Sequence, residues 1–414
     1  MADNKDKKVL NVPALRFPEF TDEWKRIKVS DLLDFYSTNS LSWEQLEYEP
    51  NEPYNLHYGL IHVGLPTLID LTKDKLPSIK NGNVPKKYEL CKEGDVAFAD
   101  ASEDTNEVAK VVEFYNLGGK KVVCGLHTIH GRNNNGQTAK GFLGYCFSST
   151  VFHNQIRRIA QGTKIYSINT RNFSEVFVGL PRRREQQKIA TLLRLIDERI
   201  ATQNKIIEKL ETLIKGFVDS IFTANKFPKV PFKEIYVRAG EGGTPATSNP
   251  EYYDNGTIPF IKIDDLQNKY IKTNKDCITE LGLQKSSAWI VPANSIIYSN
   301  GATIGAISIN LFPVCTKQGI LGVVPKADIN VEFLYYFMTS TAFTKAVERI
   351  VTEGTMRTAY LKDINHIPCP VPYPVKQDEI AKMLSTLSEK LENEVIFQMK
   401  LQKQKEFLLS QMFI

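Results

Sequence analysis

Few residues in this chain stand at spacings that could do covalent or metal chemistry. His127 and His130 have the His-x-x-His interval that can bring two imidazoles to one metal ion. No ligand set completes around them in the sequence, so they read as satisfied core or loop histidines. Gly301–Ala306 (GATIGA) has the glycines of a phosphate loop without its Lys-Ser/Thr, and reads as a loop in a strand-rich region. Asn249-Pro250 is followed by Glu251, not by the Pro and aromatic residue that cradle a base amino group in adenine methyltransferases. Asp264 and Asp265 lack the downstream Glu-x-Lys of a nuclease and read as a turn. No Ser-His-Asp or Cys-His set can be assembled. The expectation is no catalytic residue, no bound cofactor and no metal.

What remains is polar, basic and aromatic material in loops, suited to phosphate and base-edge contacts. Gly131–Gly141 (GRNNNGQTAKG) reads as an exposed turn presenting Arg132, Asn133 and Asn134. Gly162–Arg171 and Gly354–Asp363 match as repeats, each joining Gly-Thr to basic and Tyr residues; they offer Lys164, Tyr166 and Arg171, and Arg357 and Tyr360. Thr244, Thr247 and Lys262 lie in the Gly- and Asn-rich stretch Gly242–Asp265, and Asn300, Thr303, Lys317 and Gln318 in the loops that follow. Arg182, Arg183 and Arg184 open a long helix, where the dipole disfavours cations. An anionic partner would explain them, but Tyr373-Pro374-Val375 stands there in the second copy, so the explanation is not general.

The elements that must carry these loops are written twice. Gln186, Ile189-Ala190 and Leu193 recur as Gln377, Ile380-Ala381 and Leu384, always 191 positions apart. VCGLHTIHG from Val123 and VCTKQGILG from Val314 keep that interval, as do FLGYCFSSTVF from Phe142 and FLYYFMTSTAF from Phe333. Further upstream, Glu93–Ala101 resembles Ala293–Gly301 at an interval of 200. A period this long is a duplicated domain, not a solenoid. Short β-branched and aromatic runs between Gly, Asn and Pro breakers predict many short strands, and apolar residues three and four apart predict helix over Phe142–Ile159 and Phe333–Ile350.

Each globular part is followed by a long helix. In the first, Ile189, Leu193, Ile196, Ile200, Ile207, Leu210, Ile214, Phe217 and Ile221 form a 4-3 seam with Gln203 as its polar member. In the second, Ile380, Leu384, Leu387, Leu391, Leu401, Leu408 and Met412 continue the pattern, with Glu394, Gln398 and Lys405 interrupting. Such seams favour the two helices packing on one another as a coiled coil, Gln203 fixing register, over each helix lying alone on its own domain's core. Leu192, Leu195, Ile206, Leu213, Met383, Ile396, Phe397 and Leu409 lie off the seam, more apolar surface than two strands hide.

Composition sets the outer bounds. The 414 residues suffice for two or three domains, and 42% hydrophobic with 24% charged residues is ordinary for a globular protein. No run approaches the ~18 apolar residues of a membrane span, and no signal peptide is read at the start. Six cysteines without a CxxC pair fit free thiols in a reducing cytoplasm. A net charge of +5 permits a nucleic-acid partner without requiring one.

The stretch Gly179–Ile200, with its second copy, resembles the Pro-x-x-x-Glu-Gln-x-x-Ile-Ala helix start of the specificity subunits of type I restriction–modification systems. Gly242–Asp265 looks like the opening of one class of target-recognition domain and Ser40–Gly64 like another, which adds Ser40, Ser42 and Tyr58 to the DNA-contact candidates. Two departures stand out: Lys376 replaces Glu185 in the second helix start, and Leu60 stands where an acidic residue is expected. The resemblance implies an α+β protein with two mixed α/β target-recognition domains in tandem, each followed by a long helix, the helices pairing antiparallel with pseudo-twofold symmetry. The expected division is a tail over 1–19, recognition domains over 20–180 and 223–370, and helical regions over 181–222 and 371–414. The resemblance also implies a non-catalytic, cytoplasmic DNA-recognition subunit of a prokaryotic cell. Its partners would be double-stranded DNA, two modification subunits that bring S-adenosylmethionine for adenine methylation, and restriction subunits. The alternative is a coiled-coil scaffold whose duplicated domains bind proteins; steep weakening of DNA binding with salt separates the two.

Overall fold

A computed structural model describes residues 11–224, 227–301, 303–351 and 357–414. Two compact units emerge, residues 1–204 with 397–414, and residues 205–396. The second unit interrupts the first, because each long helix, Arg183–Thr223 and Pro374–Gln411, gives one end to each unit.

Unit one is built on a five-stranded sheet in the order Asp34–Tyr36, Thr128–Arg132, Val96–Ala99, Val111–Asn116, Leu68–Asp70. Its pairs are antiparallel except the last, which is parallel. Val96–Ala99 is buried at every position, which explains its uninterrupted apolar spelling. A second sheet pairs Tyr54–Leu56 in parallel with Val122–Cys124. The main core joins one face of the large sheet to Phe142, Phe147, Phe152 and Phe173 and to the first half of the first long helix.

Unit two has a five-stranded sheet in the order Tyr236–Glu241, Ile320–Pro325, Ser295–Ser299, Ile307–Asn310, Tyr270–Ile271, again with only the last pair parallel. Its smaller sheet pairs Ile258–Ile261 in parallel with Cys315–Thr316. The helical stretches are each split in two, Phe142–Phe147 with Thr150–Ile159 and Val331–Thr339 with Thr341–Ile350. The break follows from local chemistry that a single period misses. Ser149 and Ser340 are extended, and their hydroxyls accept from the Phe152 and Phe343 N–H groups as N-caps.

The duplicated helix start has a concrete purpose. Gln186 Oε1 accepts from the Ala139 N–H at 2.7 Å, and its Nε2 donates to the Gln137 and Pro181 carbonyls at 3.1 and 2.9 Å. Gln377 repeats this with the Asn330 N–H at 2.9 Å and the Asp328 and Pro372 carbonyls at 3.1 and 2.9 Å. Each glutamine thus pins the loop before its helix to the globular part while Ile189, Ala190 and Leu193, or Ile380, Ala381 and Leu384, enter the core. Glu185 is a buried salt-bridge partner of Arg16 at 2.7 Å and accepts from Trp24 Nε1 at 3.2 Å, whereas Lys376 in the second copy pairs with Glu379 near the surface. Arg182 pairs with Asp22 at 2.9 Å, and Arg183 donates to the Gly136 and Thr138 carbonyls. Internal acceptors therefore account for two of the three arginines.

On the first long helix Ile189, Leu193, Ile196, Gln203 and Leu210 are buried and Ile200, Ile207, Ile214 and Ile221 half-buried. The expected seam fails at one position: Phe217 is 40% exposed, and Val218 is the buried residue. A straight α-helix drifts roughly 20° per heptad against a 3.5-residue repeat. From Ile189 that error accumulates over four heptads to about 80°, nearly one residue's rotation. The second long helix buries or half-buries Ile380, Leu384, Leu387, Leu391, Glu394, Gln398, Leu401, Lys405 and Leu408, and Met412 is buried just after its end. Within unit one, Leu408 and Met412 share a core with Ile189 and Leu193, Lys405 pairs with Asp197 at 2.6 Å, and Arg199 lies 5.2 Å over Phe397. Within unit two, Ile380 and Leu384 share a core with Val218 and Phe222.

Candidate nucleic-acid interface

In unit one the end of the central strand gathers several of the expected residues. Asp100, just after Ala99, donates its N–H to the His127 carbonyl at 3.1 Å and accepts from the Ile168 N–H at 2.9 Å. Its carboxylate meets His127 Nδ1 at 3.1 Å; burial raises this carboxyl above its ordinary value, against the pull of His127. Tyr166–Ser167 pairs with Ala101–Ser102, which brings the loop bearing Lys164 and the short helix bearing Arg171 to the same strand end. Tyr58 meets His57 in a tilted contact and His127 edge-on, with ring centroids 4.7 and 5.2 Å away, and Trp43 lies 4.5 Å from His57.

Ser40 and Ser42, both exposed, flank the start of this aromatic row. Their segment is held from below, because Asn39 donates its backbone N–H and its Nδ2 to the Cys124 carbonyl, both at 3.0 Å. Trp43 is 45% exposed. A row of rings ending in an exposed indole beside short hydroxyls can stack on bases and contact phosphates.

Arg132, Asn133 and Asn134 do not join this cluster. They lie at the other end of strand Thr128–Arg132, and the expected exposed turn begins only after it. Arg132 is corrected from contact residue to core residue: it is buried, donating to Asp95, to Glu89 at 2.7 Å and to the Leu90 carbonyl at 2.8 Å. Each of its three guanidinium nitrogens is held by an acceptor within the unit. Asn133 is half-buried and bonds the Leu32 carbonyl at 3.1 Å, and Asn134 donates to Asp34 and to Tyr36 Oη at 2.9 Å.

Unit two repeats the construction with different side chains. Asn300, after Ser299, donates its N–H to the Gly319 carbonyl at 3.0 Å, accepts from the Ala359 N–H at 2.9 Å and returns Nδ2 to the Ala359 carbonyl at 3.1 Å. It is buried, so it is corrected from a contact to a tie that fixes the loops on either side. Thr303 and Arg357 line one cleft of about 340 Å³, and Tyr360 is 46% exposed. Gly354–Met356 of the expected motif lie outside the described residues. Thr244 Oγ1 accepts from the Gln318 N–H at 3.3 Å, and Lys317 and Thr247 are exposed. Lys262 is half-buried and paired with Asp276 at 2.8 Å.

His127 is the residue that spacing arguments set aside. It holds a left-handed backbone at φ 53°, and strand register places it opposite the equivalent of Gly319, at φ 84°. Unit two uses glycine where this conformation is free, whereas unit one accepts strain of order 1–3 kcal/mol to present an imidazole. The signal was the repeat itself, His127 standing against the Gln-Gly of the second copy.

The profile of the type I restriction modification DNA specificity domain matches residues 116–212 and 229–400. The chain belongs to this family. Among its relatives, the specificity subunit of the type I restriction enzyme MjaIX from Methanocaldococcus jannaschii is 32% identical over 164 residues, which are 39% of this chain and only 38% of that protein's length. The putative MjaX specificity subunit of the same organism is 24% identical over 90% of this chain and 89% of its own. The crystal structure of a type I restriction-modification S subunit from M. genitalium shares the fold, with a TM-score of 0.58 at 16% identity over 97% of this chain and 99% of that one.

Proposed function

We propose that this chain is the DNA sequence-recognition subunit of a type I restriction–modification complex, reading a two-part asymmetric site with one domain per half-site. One observation carries the reading: a single strand framework, built twice, presents unlike residues at equivalent strand ends. His127, Asp100 and the Trp43–His57–Tyr58 row occupy one, and Gly319, Asn300, Thr303 and Arg357 the other. Equal scaffolds with unequal tips suit two different base sequences. The working division is recognition domains over 20–180 and 223–370, helical regions over 181–222 and 371–414, and a tail before them. Catalysis and S-adenosylmethionine belong to two partner modification subunits, and cleavage to restriction subunits. The helices pair antiparallel along their seams and set the unread gap between half-sites. Ile206, Leu213 and Leu195, which are 38%, 45% and 52% exposed, offer apolar surface to a partner helix.

The decisive test is long-read mapping of methylated adenines in cells with and without this chain. A bipartite motif that disappears with the chain is the expected result, and an unchanged methylome would overturn the proposal. Replacing residues 20–178 with another member's first domain should change one half-site alone. Inserting four residues near Gln203, about 6 Å of helix, should lengthen the gap by roughly one or two base pairs.

A further inference from the structure

We propose that Cys91, Cys124 and His130 form a zinc-binding site that staples the two larger sheets of unit one. No spacing along the chain announces it, because the three residues come from a loop, the small sheet and the large sheet. Folding brings their ligand atoms within 4.8 Å of one another, with all three residues buried. The two sulfurs are 3.6 Å apart. A tetrahedral zinc with bonds of about 2.3 Å to sulfur sets its thiolates roughly 3.8 Å apart, so the pair already stands near the required edge.

The histidine supplies the second, independent observation. His130 Nε2 meets the Asp95 carboxylate at 2.7 Å, while Nδ1, fully buried, finds no hydrogen-bond partner among the described residues. A buried imidazole nitrogen without a partner is costly in an apolar core. A carboxylate on one ring nitrogen with the other left bare is the arrangement that orients a metal-bound histidine. Asp95 is itself fixed by Arg132 at 2.8 Å. The charges also close: two thiolates neutralise a divalent cation, and Asp95 with Arg132 forms its own pair. Three protein donors leave one of zinc's four positions for water. A cleft of about 410 Å³, lined by Cys124, Asn39 and Ser40 among others, offers a way in.

Unit two contains its own control. The repeat keeps Cys315 where Cys124 stands, but strand register puts Pro292 in place of Cys91 and Gly322 in place of His130. No space remains there either, since a Cβ on Gly322 would meet Val291 Cγ2 at 2.4 Å. A lone duplicated cysteine is packing; among the described residues, only unit one has gathered two further donors around it.

The test uses the full-length chain purified with reductant and without chelator. Elemental analysis should find about one zinc per chain, and cobalt(II) added to the zinc-stripped protein should give a thiolate charge-transfer band. Cys124→Ser should abolish both, while Cys315→Ser keeps both. Asp95→Asn should weaken the metal by about 10–100-fold through loss of the orienting carboxylate. A wild-type chain without zinc and without the cobalt band would overturn the proposal, and so would zinc retained in Cys124→Ser. The wild-type cobalt spectrum decides the matter even if a variant does not fold.

Discussion

The two units solve one architectural problem with opposite interior chemistry. Their five-stranded sheets have the same order and the same single parallel pair, so strand register matches them residue by residue. Yet where unit one buries Asp95, His130, Arg132 and Glu113, unit two has Ser295, Gly322, Val324 and Ile309. The space of His130 is taken in unit two by Val291 and Trp289 packed against Gly322. A fold is therefore held by the volume and polarity of the whole layer, and a buried ionic cluster can stand in for apolar contacts wherever every charge finds its partner. The difference teaches that these sheet positions in unit one should respond more sharply to charge, pH and metal than their matches in unit two.

The largest effect is expected from Asp95→Ala, which leaves Arg132 and His130 without their shared acceptor. It should cost about 3–5 kcal/mol, read as a lowered urea midpoint, whereas the equivalent Ser295→Ala should change stability by less than about 1 kcal/mol. Equal costs would break the comparison. A slightly smaller effect should be shared by both units: Leu193→Ala and Leu384→Ala, each at a fully buried position of the repeated helix start, should each cost about 2–5 kcal/mol. Here a large inequality would mean that the two helix starts are not equivalent.

The pH response should separate the units next. Burial pushes the Glu113 carboxyl up to about 7, despite N–H groups of Gly144 and Gly141 donating to it. Below its unfolded value near 4.5 the group is neutral in both states. As pH rises from there toward 7 the unfolded chain loses the proton first, so stability falls, by up to about 1.4 kcal/mol per pH unit. Glu113→Gln should flatten that slope in urea titrations between those limits, while Ile309 gives unit two no counterpart. Asp95 works in the other direction: burial would raise its carboxyl, but hydrogen bonds from His130 and Arg132 outweigh that and hold it below 3.8. Its contribution is present above its unfolded value and lost as pH falls through the lowered folded one.

The smallest effects concern the strand ends. Gly319→Ala forces a left-handed alanine and should cost about 1–2 kcal/mol. His127→Gly should leave stability within about 1 kcal/mol, since released strain offsets the added chain entropy of glycine. If the proposed function holds, that variant also weakens binding to one half-site and spares the other, which gel-shift titrations at fixed salt would read.

The sequence by itself determined the duplication, the long helices and the residues that start them. Gln186 with Gln377 and Leu193 with Leu384 were legible because local periodicity and a constant interval are one-dimensional facts. It also pointed to the loops: Tyr58, Tyr166, Thr303 and Arg357 do gather at strand ends. Three-dimensional structure decided which polar residues face outward. Arg132 and Asn300 read as loop contacts but turn into the core, because their partners Asp95 and Ala359 lie far away in sequence. The shift from Phe217 to Val218 came from helix geometry summed over many turns, and the Cys91–Cys124–His130 cluster from strand pairing. Composition and spacing report what a short stretch prefers; burial and partnership are set by residues that meet only once the sheets have formed.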